Sequence, residues 1–400
     1  MKTSLTTTSL AAVMEGPGRI ELREFPVPDP EPGAVVIAMH LSGICGTDKH
    51  TFRGESKQYA GTPHELDIEY PLICGHENVG TVVSTGGPVV DRSGAILREG
   101  DRVVPAANVP CGHCYYCLNS FPYYFCQNLE DYGNSLNCSR PPGLFGGWSQ
   151  YLYLLPGTPI FRVPEELPDE VAVITEVMAV THGVDAALTV LGLRGGARSG
   201  FSVAVLGVGP LGLCHLVKSR LVGAGTVVAI DVLPGRLKRA GEFGVDLALD
   251  ATATDAAQRA EAILDATHGL GVDVALDCSG VPSTFTEALA VVRTGGVIVE
   301  AGAFVDMGPV QVNPNSDIVT RNISVLGIGG ELATEYEPSM RLMVANLDRY
   351  PLTAITSHIL PLDQALDALV LSQSGEAMQV ALDPRVRSND RTSTQQEGSS

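Results

Sequence analysis

The sequence predicts an α/β protein with a β-rich N-terminal part and, in its middle, a parallel, doubly wound sheet. In residues 19–153, short apolar runs are separated by Pro and Gly clusters, which is typical of a compact, barrel-like β domain. From about residue 181, strand-like runs alternate with helical stretches, as in parallel sheets with crossover helices. A glycine-rich turn joins the first strand and the first helix of that alternation.

The individual elements follow from these runs. In the β-rich part, strands are expected at residues such as 34–39 and 80–83. In the alternating part, strands are expected at 203–206, 227–230, 272–276, 297–300 and 323–328, and helices at 211–222, 236–243 and 285–292. A helical stretch, a strand at 354–359 and a final helix follow residue 330. The last residues are polar and aperiodic, which predicts a disordered tail.

Composition and charge exclude several classes of protein. The 400 residues are 44% apolar, so neither a disordered chain nor a disulfide-dense mini-protein is expected. The net charge of −19 argues against a nucleic-acid partner, because phosphate backbones attract clustered Lys and Arg. No run of about 20 apolar residues occurs, so we expect no membrane span. The N-terminus resembles a signal peptide poorly, which favours a cytoplasmic location.

The glycine-rich turn carries a cofactor prediction. The strand at 203–206 leads into GVGPLG at 207–212, a helical pattern follows, and Asp231 comes after the next strand. Glycines allow a tight turn and the close approach of a pyrophosphate to the start of the helix. Asp231 would accept hydrogen bonds from the adenosine ribose and repel a 2′-phosphate, which favours NAD over NADP. The alternative is an ordinary turn without a ligand. The residues expected to contact the cofactor in this turn are Gly207, Gly209, Pro210, Leu211 and Gly212.

Clustered cysteines predict a structural metal site. A chain of this length without a convincing signal peptide belongs in a reducing compartment, where thiolates bind metals more often than they form disulfides. Four thiols at this spacing can bind one tetrahedral Zn²⁺ and leave no open position. The alternatives are an iron–sulfur cluster or unligated thiols, and Cys138 could replace the fourth cysteine. His113 is expected to be a bystander. The predicted ligands are Cys111, Cys114, Cys117 and Cys126.

A dispersed set of residues predicts a second, catalytic zinc site. Cys45, His76 and Glu176 supply a thiolate, an imidazole and a carboxylate, and three ligands leave a fourth position open. Asp48 could orient His76 as a hydrogen-bond acceptor. Taken singly, Cys45 would be a buried core thiol and His76 a satisfied core histidine.

These motifs together resemble those of the zinc-dependent medium-chain alcohol and polyol dehydrogenases, in particular the glucose, sorbitol and threonine dehydrogenase-like branch. The agreement covers about residues 12–382 and includes GICGTD at 43–48, GHENVG at 75–80, GDRV at 100–103 and VLGVGPLG at 205–212. The resemblance implies a GroES-like β-barrel catalytic domain over residues 1–178 and 328–384. It also implies an inserted Rossmann domain over 179–327. The polar, aperiodic residues 385–400 are predicted to form the disordered tail.

The resemblance assigns roles to individual residues. Thr47 matches the hydroxyl that bonds the substrate oxygen, and His50 matches a relay of protons to solvent. Arg236 matches a basic residue near the adenosine. The positions that match ligands of the catalytic zinc, or a carboxylate that approaches it, are Cys45, His76, Glu176 and Glu77.

The sequence departs from the family pattern in three places. Eight residues separate Cys117 from Cys126, one more than usual, and Val177 follows Glu176 where Pro is common. The stretch between Cys45 and His76 is long; it is either a solvated surface loop or a roof whose cations suit an anionic or heavily hydroxylated substrate. Its charged or titratable residues include Lys49, Arg53, Lys57, His64, Glu65 and Asp67.

The resemblance implies reversible oxidation of an alcohol to a ketone or aldehyde, with NAD and two Zn²⁺ per subunit, one catalytic and one structural. We expect a polar substrate that is polyol-like, sugar-like or otherwise functionalised, anionic ones included, and a homodimer or homotetramer. No nucleic acid or membrane partner is expected. The alternatives are a zinc-independent quinone or enoyl reductase on the same fold, and a catalytically silent NAD-binding sensor.

Overall fold

The computed structural model describes residues 7–55, 57–58, 65–196 and 199–388, which divide into two compact units. Unit 1 comprises Met1–Glu176, Leu332–Leu347 and Leu352–Ser400. Unit 2 comprises Val177–Glu331 and Asp348–Pro351. His64, of the long stretch between Cys45 and His76, lies outside the described residues.

The described residues form the following strands and helices. The strands are β1 (Thr8–Gly16), β2 (Arg19–Pro26), β3 (Val35–Gly43), β4 (Lys57–Gln58), β5 (Leu66–Asp67), β6 (Leu72–Ile73), β7 (Asn78–Thr85), β8 (Arg102–Pro105), β9 (Asn108–Val109), β10 (Glu130–Asp131), β11 (Tyr151–Leu154), β12 (Ile160–Arg162), β13 (Ser202–Leu206), β14 (Thr226–Asp231), β15 (Leu247–Asp250), β16 (Val272–Asp277), β17 (Val292–Glu300), β18 (Ser324–Gly327), β19 (Thr356–Pro361) and β20 (Gln379–Asp383). The α-helices are α1 (Gly46–Phe52), α2 (Tyr115–Leu118), α3 (Asp169–Ala172), α4 (Thr175–Val180), α5 (His182–Leu193), α6 (Pro210–Leu221), α7 (Pro234–Glu242), α8 (Ala256–Ala266), α9 (Pro282–Val291), α10 (Tyr336–Val344) and α11 (Ala365–Gln373).

Unit 1 is built around strand β3. Its main sheet has the order β12-β8-β7-β3-β20-β19, and β11 also pairs with β3. Strand β3 is almost entirely buried because its apolar sequence, VVIAMHLSG, has neighbours on both sides. A smaller sheet, β2-β1-β6, packs into the same core, whose largest fully buried side chains include Trp148, Tyr132 and Phe145. Among the described residues no ladder joins β12 to β19, so we describe this sheet as an open path and not as a closed barrel.

Unit 2 contains the doubly wound sheet that the sequence predicts. Its six strands are all parallel and have the order β15-β14-β13-β16-β17-β18. The strand order reverses between β13 and β16, and in such sheets this switch point is where ligands bind, beyond the carboxyl ends of the strands. Strand β15 and helix α8 had no counterpart among the predicted elements. Helix α8 begins with a capping box in which Asp255 and Gln258 bond each other's backbone.

The C-terminal end differs from the prediction. Beyond β20, the side chain of Arg385 pairs with Asp383 at 2.9 Å. The backbone N–H of Ser388 donates to Asp363 at 3.1 Å. Residues 385–388 are therefore part of the fold, which corrects the predicted start of the tail. The remaining predicted tail, 389–400, lies outside the described residues.

One stretch, Thr175–Leu193, is long and apolar enough to cross a membrane by length and composition alone. More than half of its most apolar window is buried inside the protein, which is typical of the core helix of a soluble protein. The stretch is also divided at Thr181 into helices α4 and α5.

Candidate active site and metal centres

Three of the predicted metal ligands lie together in unit 1. One ligand atom each of Cys45, His76 and Glu77 lies within 4.8 Å of the others. His76 and Glu77 are buried, and Cys45 is half-buried. A thiolate, an imidazole and a carboxylate around an open position are the ligand types of catalytic zinc sites.

A buried carboxylate holds the two segments that carry these ligands. Asp48, in the first turn of α1, is fully buried. Its carboxylate accepts the backbone N–H of Cys45 at 2.8 Å and that of Gly75 at 3.4 Å. Asp48 thus bonds the backbone beside both Cys45 and His76, whereas the sequence predicted a bond to the His76 ring. Burial raises the pKa of Asp48, and the nearby His76 opposes that shift.

Gly75 is required for the backbone that places His76. Its φ of +93° belongs to the left-handed region, which favours glycine. A Cβ at this position would lie 2.4 Å from Ser42 Oγ and 2.5 Å from Trp148 Cδ1. Both the conformation and the close packing therefore exclude a side chain immediately before the histidine.

Glu77 is held by a residue that the sequence analysis missed. Gln379, at the start of β20, donates a hydrogen bond from Nε2 to Glu77 Oε2. A Cβ on Gly43 would lie 1.9 Å from the same oxygen, so glycine makes room for the carboxylate. Burial raises the pKa of Glu77 to about 7, against the opposing effect of His76. No local motif marks Gln379, because it reaches Glu77 only through the pairing of β20 with β3.

Buried polar atoms in this cluster fit a metal ion and a bound oxygen. Within the described part of the chain, His76 Nδ1 and Thr47 Oγ1 are buried and have no hydrogen-bond partner. Burial would lower the pKa of His76, but the negative charges of Cys45 and Asp48 raise it well above its ordinary value. An environment that stabilises positive charge on an imidazole also suits a cation. The residues present therefore fit a zinc ion.

Glu176 lies outside the compact set of candidate ligands that contains Glu77. It is buried in the first turn of α4, and its charge also raises the pKa of His76. It is not one of the three residues whose ligand atoms lie within 4.8 Å of one another. In this structure Glu77, and not Glu176, completes the compact set.

His50 lies on the partly exposed side of α1. Its Nδ1 is 2.6 Å from Glu55 Oε2 and 3.0 Å from an amino nitrogen of Arg53. Hydrogen bonds from Arg53 and then from His50 lower the pKa of Glu55. Arg53 also donates to the side chain of Gln373 at 3.1 Å. His50 is thus fixed by a small charged network at the surface.

Two cations of the long stretch, Arg53 and Lys57, are paired with carboxylates. Lys57 Nζ is 2.7 Å from Glu65 and 3.9 Å from Asp67, and Arg53 bonds Glu55. The pKa of Lys57 is raised, chiefly by its hydrogen bond with Glu65. These pairs offset the charges of Arg53 and Lys57, whereas the charge of Lys49 acts on Asp48 and Glu77. The prediction of an anionic substrate stays a prediction.

The four predicted cysteines of the second site lie together. Their ligand atoms are within 4.8 Å of one another, and Cys114 precedes helix α2. The backbone N–H of Cys111 donates to Cys126 Sγ at 3.3 Å. A backbone hydrogen bond from His113 lowers the pKa of Cys111 to about 6, whereas burial raises that of Cys126 to about 12. Asn128, another residue without a sequence signal, lies 3.7 Å from Cys111 Sγ. Four thiols fit one tetrahedral Zn²⁺.

Cys138 and His113 are not part of that set. Cys138 is buried elsewhere and its Sγ donates to the carbonyl of Pro71 at 3.1 Å. The ring of His113 contacts the carbonyl of Cys111 at 2.8 Å and is exposed. The extra residue between Cys117 and Cys126 falls in a segment containing a short 3₁₀ turn, Tyr123–Phe125.

The glycine-rich turn has the backbone that the cofactor prediction requires. Gly207 has a φ of +83°, and a Cβ on Gly212 would lie 1.8 Å from the Gly207 carbonyl oxygen. Gly209 precedes α6, and Pro210 occupies the first turn, where a missing N–H is tolerated. Leu211 is the next residue of the helix, and its carbonyl contacts His215 Nδ1 at 2.9 Å. The start of α6 therefore presents backbone N–H groups beside a glycine turn.

Asp231 and Arg236 flank this turn. Asp231 is buried and accepts the backbone N–H groups of Val208 at 2.8 Å and Leu233 at 2.9 Å. Arg236 Nη1 is 3.8 Å from Asp231 Oδ2. Within the described residues, Arg236 Nε is buried without a hydrogen-bond partner. The carboxylate and the guanidinium thus lie together at the carboxyl end of β14.

Comparisons with known proteins agree with this geometry. Residues 31–165 match the alcohol dehydrogenase GroES-like domain, and residues 210–345 match the zinc-binding dehydrogenase family. A probable alcohol dehydrogenase of Mycobacterium tuberculosis is 32% identical over 92% of this chain and 94% of its own. Sorbitol dehydrogenase of Ovis aries is 28% identical over 94% of this chain and 96% of its own. A crystal structure of an alcohol dehydrogenase from Thermotoga maritima, 32% identical, superposes with a TM-score of 0.85 over 94% of this chain and 99% of that one. The chain therefore belongs to the zinc-dependent medium-chain alcohol and polyol dehydrogenases.

Proposed function

We propose that this protein uses NAD and zinc to oxidise an uncharged, polar secondary alcohol, such as a polyol, to a ketone. The observation that carries the proposal is the compact set of Cys45, His76 and Glu77 beside the unpartnered Thr47 hydroxyl. Sorbitol dehydrogenase among the relatives supports the polyol class. The pairing of Arg53 and Lys57 with carboxylates is the reason for preferring an uncharged substrate.

Cys45, His76 and Glu77 would hold the catalytic zinc, and Glu176 is close enough for its charge to act on His76. Zinc held by these residues would supply Lewis-acid chemistry toward the alcohol oxygen, and NAD would be the hydride acceptor. Asp48 holds together the segments that carry Cys45 and His76, because it accepts hydrogen bonds from the backbone of Cys45 and Gly75. Gln379 orients the Glu77 carboxylate.

Thr47 and His50 would carry the proton of the substrate hydroxyl. Thr47 Oγ1 is buried and without a partner in the described structure, so it is available to accept that proton. His50 lies three residues further along α1, a spacing that puts both side chains on one face of the helix. Its contact with Glu55 at the surface would help it pass the proton to solvent.

The glycine turn and Asp231 would bind NAD in preference to NADP. A buried carboxylate at the end of β14 suits the two ribose hydroxyls and repels a 2′-phosphate. Arg236 beside it could pair with such a phosphate, so the ratio of kcat/KM for NAD and NADP tests this choice. A ratio below one would overturn it.

The four-cysteine site would bind a second, structural zinc, giving two zinc ions per chain. We also propose a homodimer or homotetramer, because β18 forms an edge of the sheet of unit 2 among the described strands. Metal analysis of the purified protein and light scattering during size-exclusion chromatography test these two statements.

The central experiment measures NADH formation from a panel of polyols, amino alcohols and simple secondary alcohols, with zinc present. Cys45→Ser should lose turnover while it still binds NADH and keeps the structural zinc. Cys138→Ser is the matched control, since that thiol is buried outside both sets, and it should retain activity. A Cys45→Ser protein with unchanged turnover would indicate chemistry that does not need this site. No turnover of any alcohol by the wild type, with NAD bound, would favour the sensor alternative.

A further inference from the structure

Two acidic residues meet at the carboxyl edge of the parallel sheet in unit 2. Asp277 is the last residue of β16 and Glu300 the last residue of β17, and the strand register places them opposite each other. Both side chains consequently leave the sheet on the same face. The register brings the two carboxyl groups close together, and the negative charge of Asp277 favours a proton on Glu300.

The pair is built into the turns that follow the two strands. Asp277 accepts hydrogen bonds from the backbone of Ser279 at 3.1 Å and from Thr284 Oγ1 at 2.6 Å. Glu300 accepts the backbone N–H groups of Gly302 at 3.1 Å and Ala303 at 3.0 Å. Asp277 is buried, and Glu300 is half-buried. These bonds fix the position of both carboxyl groups.

The same turns touch the glycine turn of the cofactor site. A Cβ on Gly207 would lie 2.8 Å from the Cα of Ser279, and one on Gly302 would lie 2.7 Å from the Ser279 nitrogen. The ends of β13, β16 and β17 therefore converge at the switch point of the sheet. With Asp231 at the end of β14 on the adenosine side, the nicotinamide half of a dinucleotide falls on the side of β16 and β17.

Among the described residues, the thiol of Cys278 also interacts with both carboxyl groups. Cys278 follows Asp277, and the pKa of its thiol is raised well above the ordinary value by burial, by both carboxyl groups and by Cys214 of α6. Burial, followed by the charge of Asp277, raises the pKa of Glu300 to about 7. A positive charge brought to this edge would thus meet a pair whose proton is easily released.

We propose that Asp277 and Glu300 share one proton and release it to solvent when the positively charged nicotinamide of NAD⁺ binds, so that the pair favours oxidised over reduced cofactor. The proposal rests on the nicotinamide cofactor of the proposed function. NADH carries the same pyrophosphate and adenosine but a neutral nicotinamide. Only NAD⁺ is therefore bound more tightly when the carboxyl pair has lost its proton and carries two negative charges. Asp277 and Glu300 are positioning and selectivity residues here and take no part in hydride transfer.

The experiment measures NAD⁺ and NADH binding by isothermal titration calorimetry in buffers of different ionisation enthalpy, over the range from about pH 6 to about pH 8. Wild type should release protons on binding NAD⁺ near pH 7, and its NAD⁺-to-NADH affinity ratio should rise about fivefold over this range. Glu300→Gln, which mimics the protonated form, should bind both cofactors but show a flat ratio and less proton release. Asp277→Asn should also reduce the release near pH 7, because Glu300 then ionises at lower pH.

Asp250→Asn is the matched control. Asp250 ends β15 on the other side of the switch point, where its carboxylate bonds Thr252. Because both redox forms share the adenosine half, this variant should keep the wild-type ratio and proton release. Equal proton release by wild type and Glu300→Gln would overturn the proposal. Failure of the wild type to bind either cofactor would instead refute the proposed function.

Discussion

Gln379 and Glu77, which are 302 positions apart in the chain, share a buried hydrogen bond beside the candidate catalytic metal site. The amide leaves one carboxylate oxygen of Glu77 less free to turn, and Gly43 leaves the space that this oxygen occupies, since a Cβ there would lie 1.9 Å from it. A residue of the last described strand therefore holds a candidate metal ligand that belongs to the first third of the sequence.

Replacing Gln379 by Leu should impair the metal site. The Glu77 oxygen would lose its donor while buried, which costs about 1–3 kcal/mol. We expect lower zinc content and a roughly tenfold loss of kcat/KM, since outer hydrogen bonds of this kind commonly tune metal sites by such factors. Gln311→Leu, at an exposed glutamine between β17 and β18, is the control and should change unfolding free energy by less than about 0.5 kcal/mol. Unchanged zinc content and activity in Gln379→Leu would show that Glu77 needs no such support.

Replacing Cys126, one of the four clustered cysteines, should have a different effect from replacing the buried Cys138 outside the cluster. Cys126→Ser removes one of the four clustered thiols, so we expect one zinc ion fewer per chain and a lower melting temperature. In Cys138→Ser the hydroxyl can still donate to the Pro71 carbonyl, and zinc content should not change. Metal analysis and thermal unfolding of both variants check this. If Cys138→Ser loses zinc and Cys126→Ser does not, the fourth ligand is Cys138 and not Cys126.

The glycine turn should tolerate no methyl group at position 212. A Cβ there would lie 1.8 Å from the Gly207 carbonyl oxygen, so Gly212→Ala must displace the turn. We expect a loss of about 2–4 kcal/mol of unfolding free energy and a large loss of NADH affinity. Gly241→Ala, in an open position of α7, should instead stabilise the protein by about 0.5–1 kcal/mol. Denaturant unfolding and cofactor fluorescence measure both effects.

The carboxyl pair predicts a pH dependence of stability that does not involve the metal sites. Burial and Asp277 raise the pKa of Glu300 from 4.5 to about 7. The native state thus holds a proton that the unfolded state has lost, so the stability contributed by protonated Glu300 is complete below about pH 4.5 and is lost as the pH rises to about 7. Glu300→Gln should avoid this loss.

Thermal unfolding of the two proteins from about pH 5 to about pH 8 measures the effect. The melting temperature of Glu300→Gln relative to wild type should rise across this range. Glu242→Gln, at an exposed residue that pairs with Arg239, should show no such trend. A constant difference between Glu300→Gln and wild type would mean that Glu300 ionises as an ordinary glutamate.

Much of the fold could be predicted from apolar periodicity. The strands of the parallel sheet were found where the apolar runs are long and buried, as in β13 and β16. Strand β15 was missed because its four residues, Leu247–Asp250, are largely half-exposed and give no apolar run. The ladder order of the β-rich part could not be predicted, since pairings such as β3 with β20 join distant segments.

The candidate site was predicted only where its residues stand in local motifs. Cys45, His76 and the four clustered cysteines lie in such motifs, and the structure brings them into two compact sets. Gln379 carries no local signal and depends on strand pairing. Asp277 and Glu300 each end a separate apolar run, and only the parallel register places them side by side. The roles of all these residues in metal binding, cofactor binding and catalysis are predictions that the experiments above test.

The pairing of β20 with β3 also sets an order for biosynthesis. Strand β3 is made early, whereas Ala381 and Leu382, which pair with Ser42 and Gly43, are among the last residues of the described fold to leave the ribosome. The six parallel strands of unit 2 are contiguous in the chain and can assemble on the nascent polypeptide before then. Until β20 emerges, the part of β3 that precedes Cys45 lacks its partner strand, so Glu77 can gain the hydrogen bond from Gln379 only after the strands of unit 2 have been made.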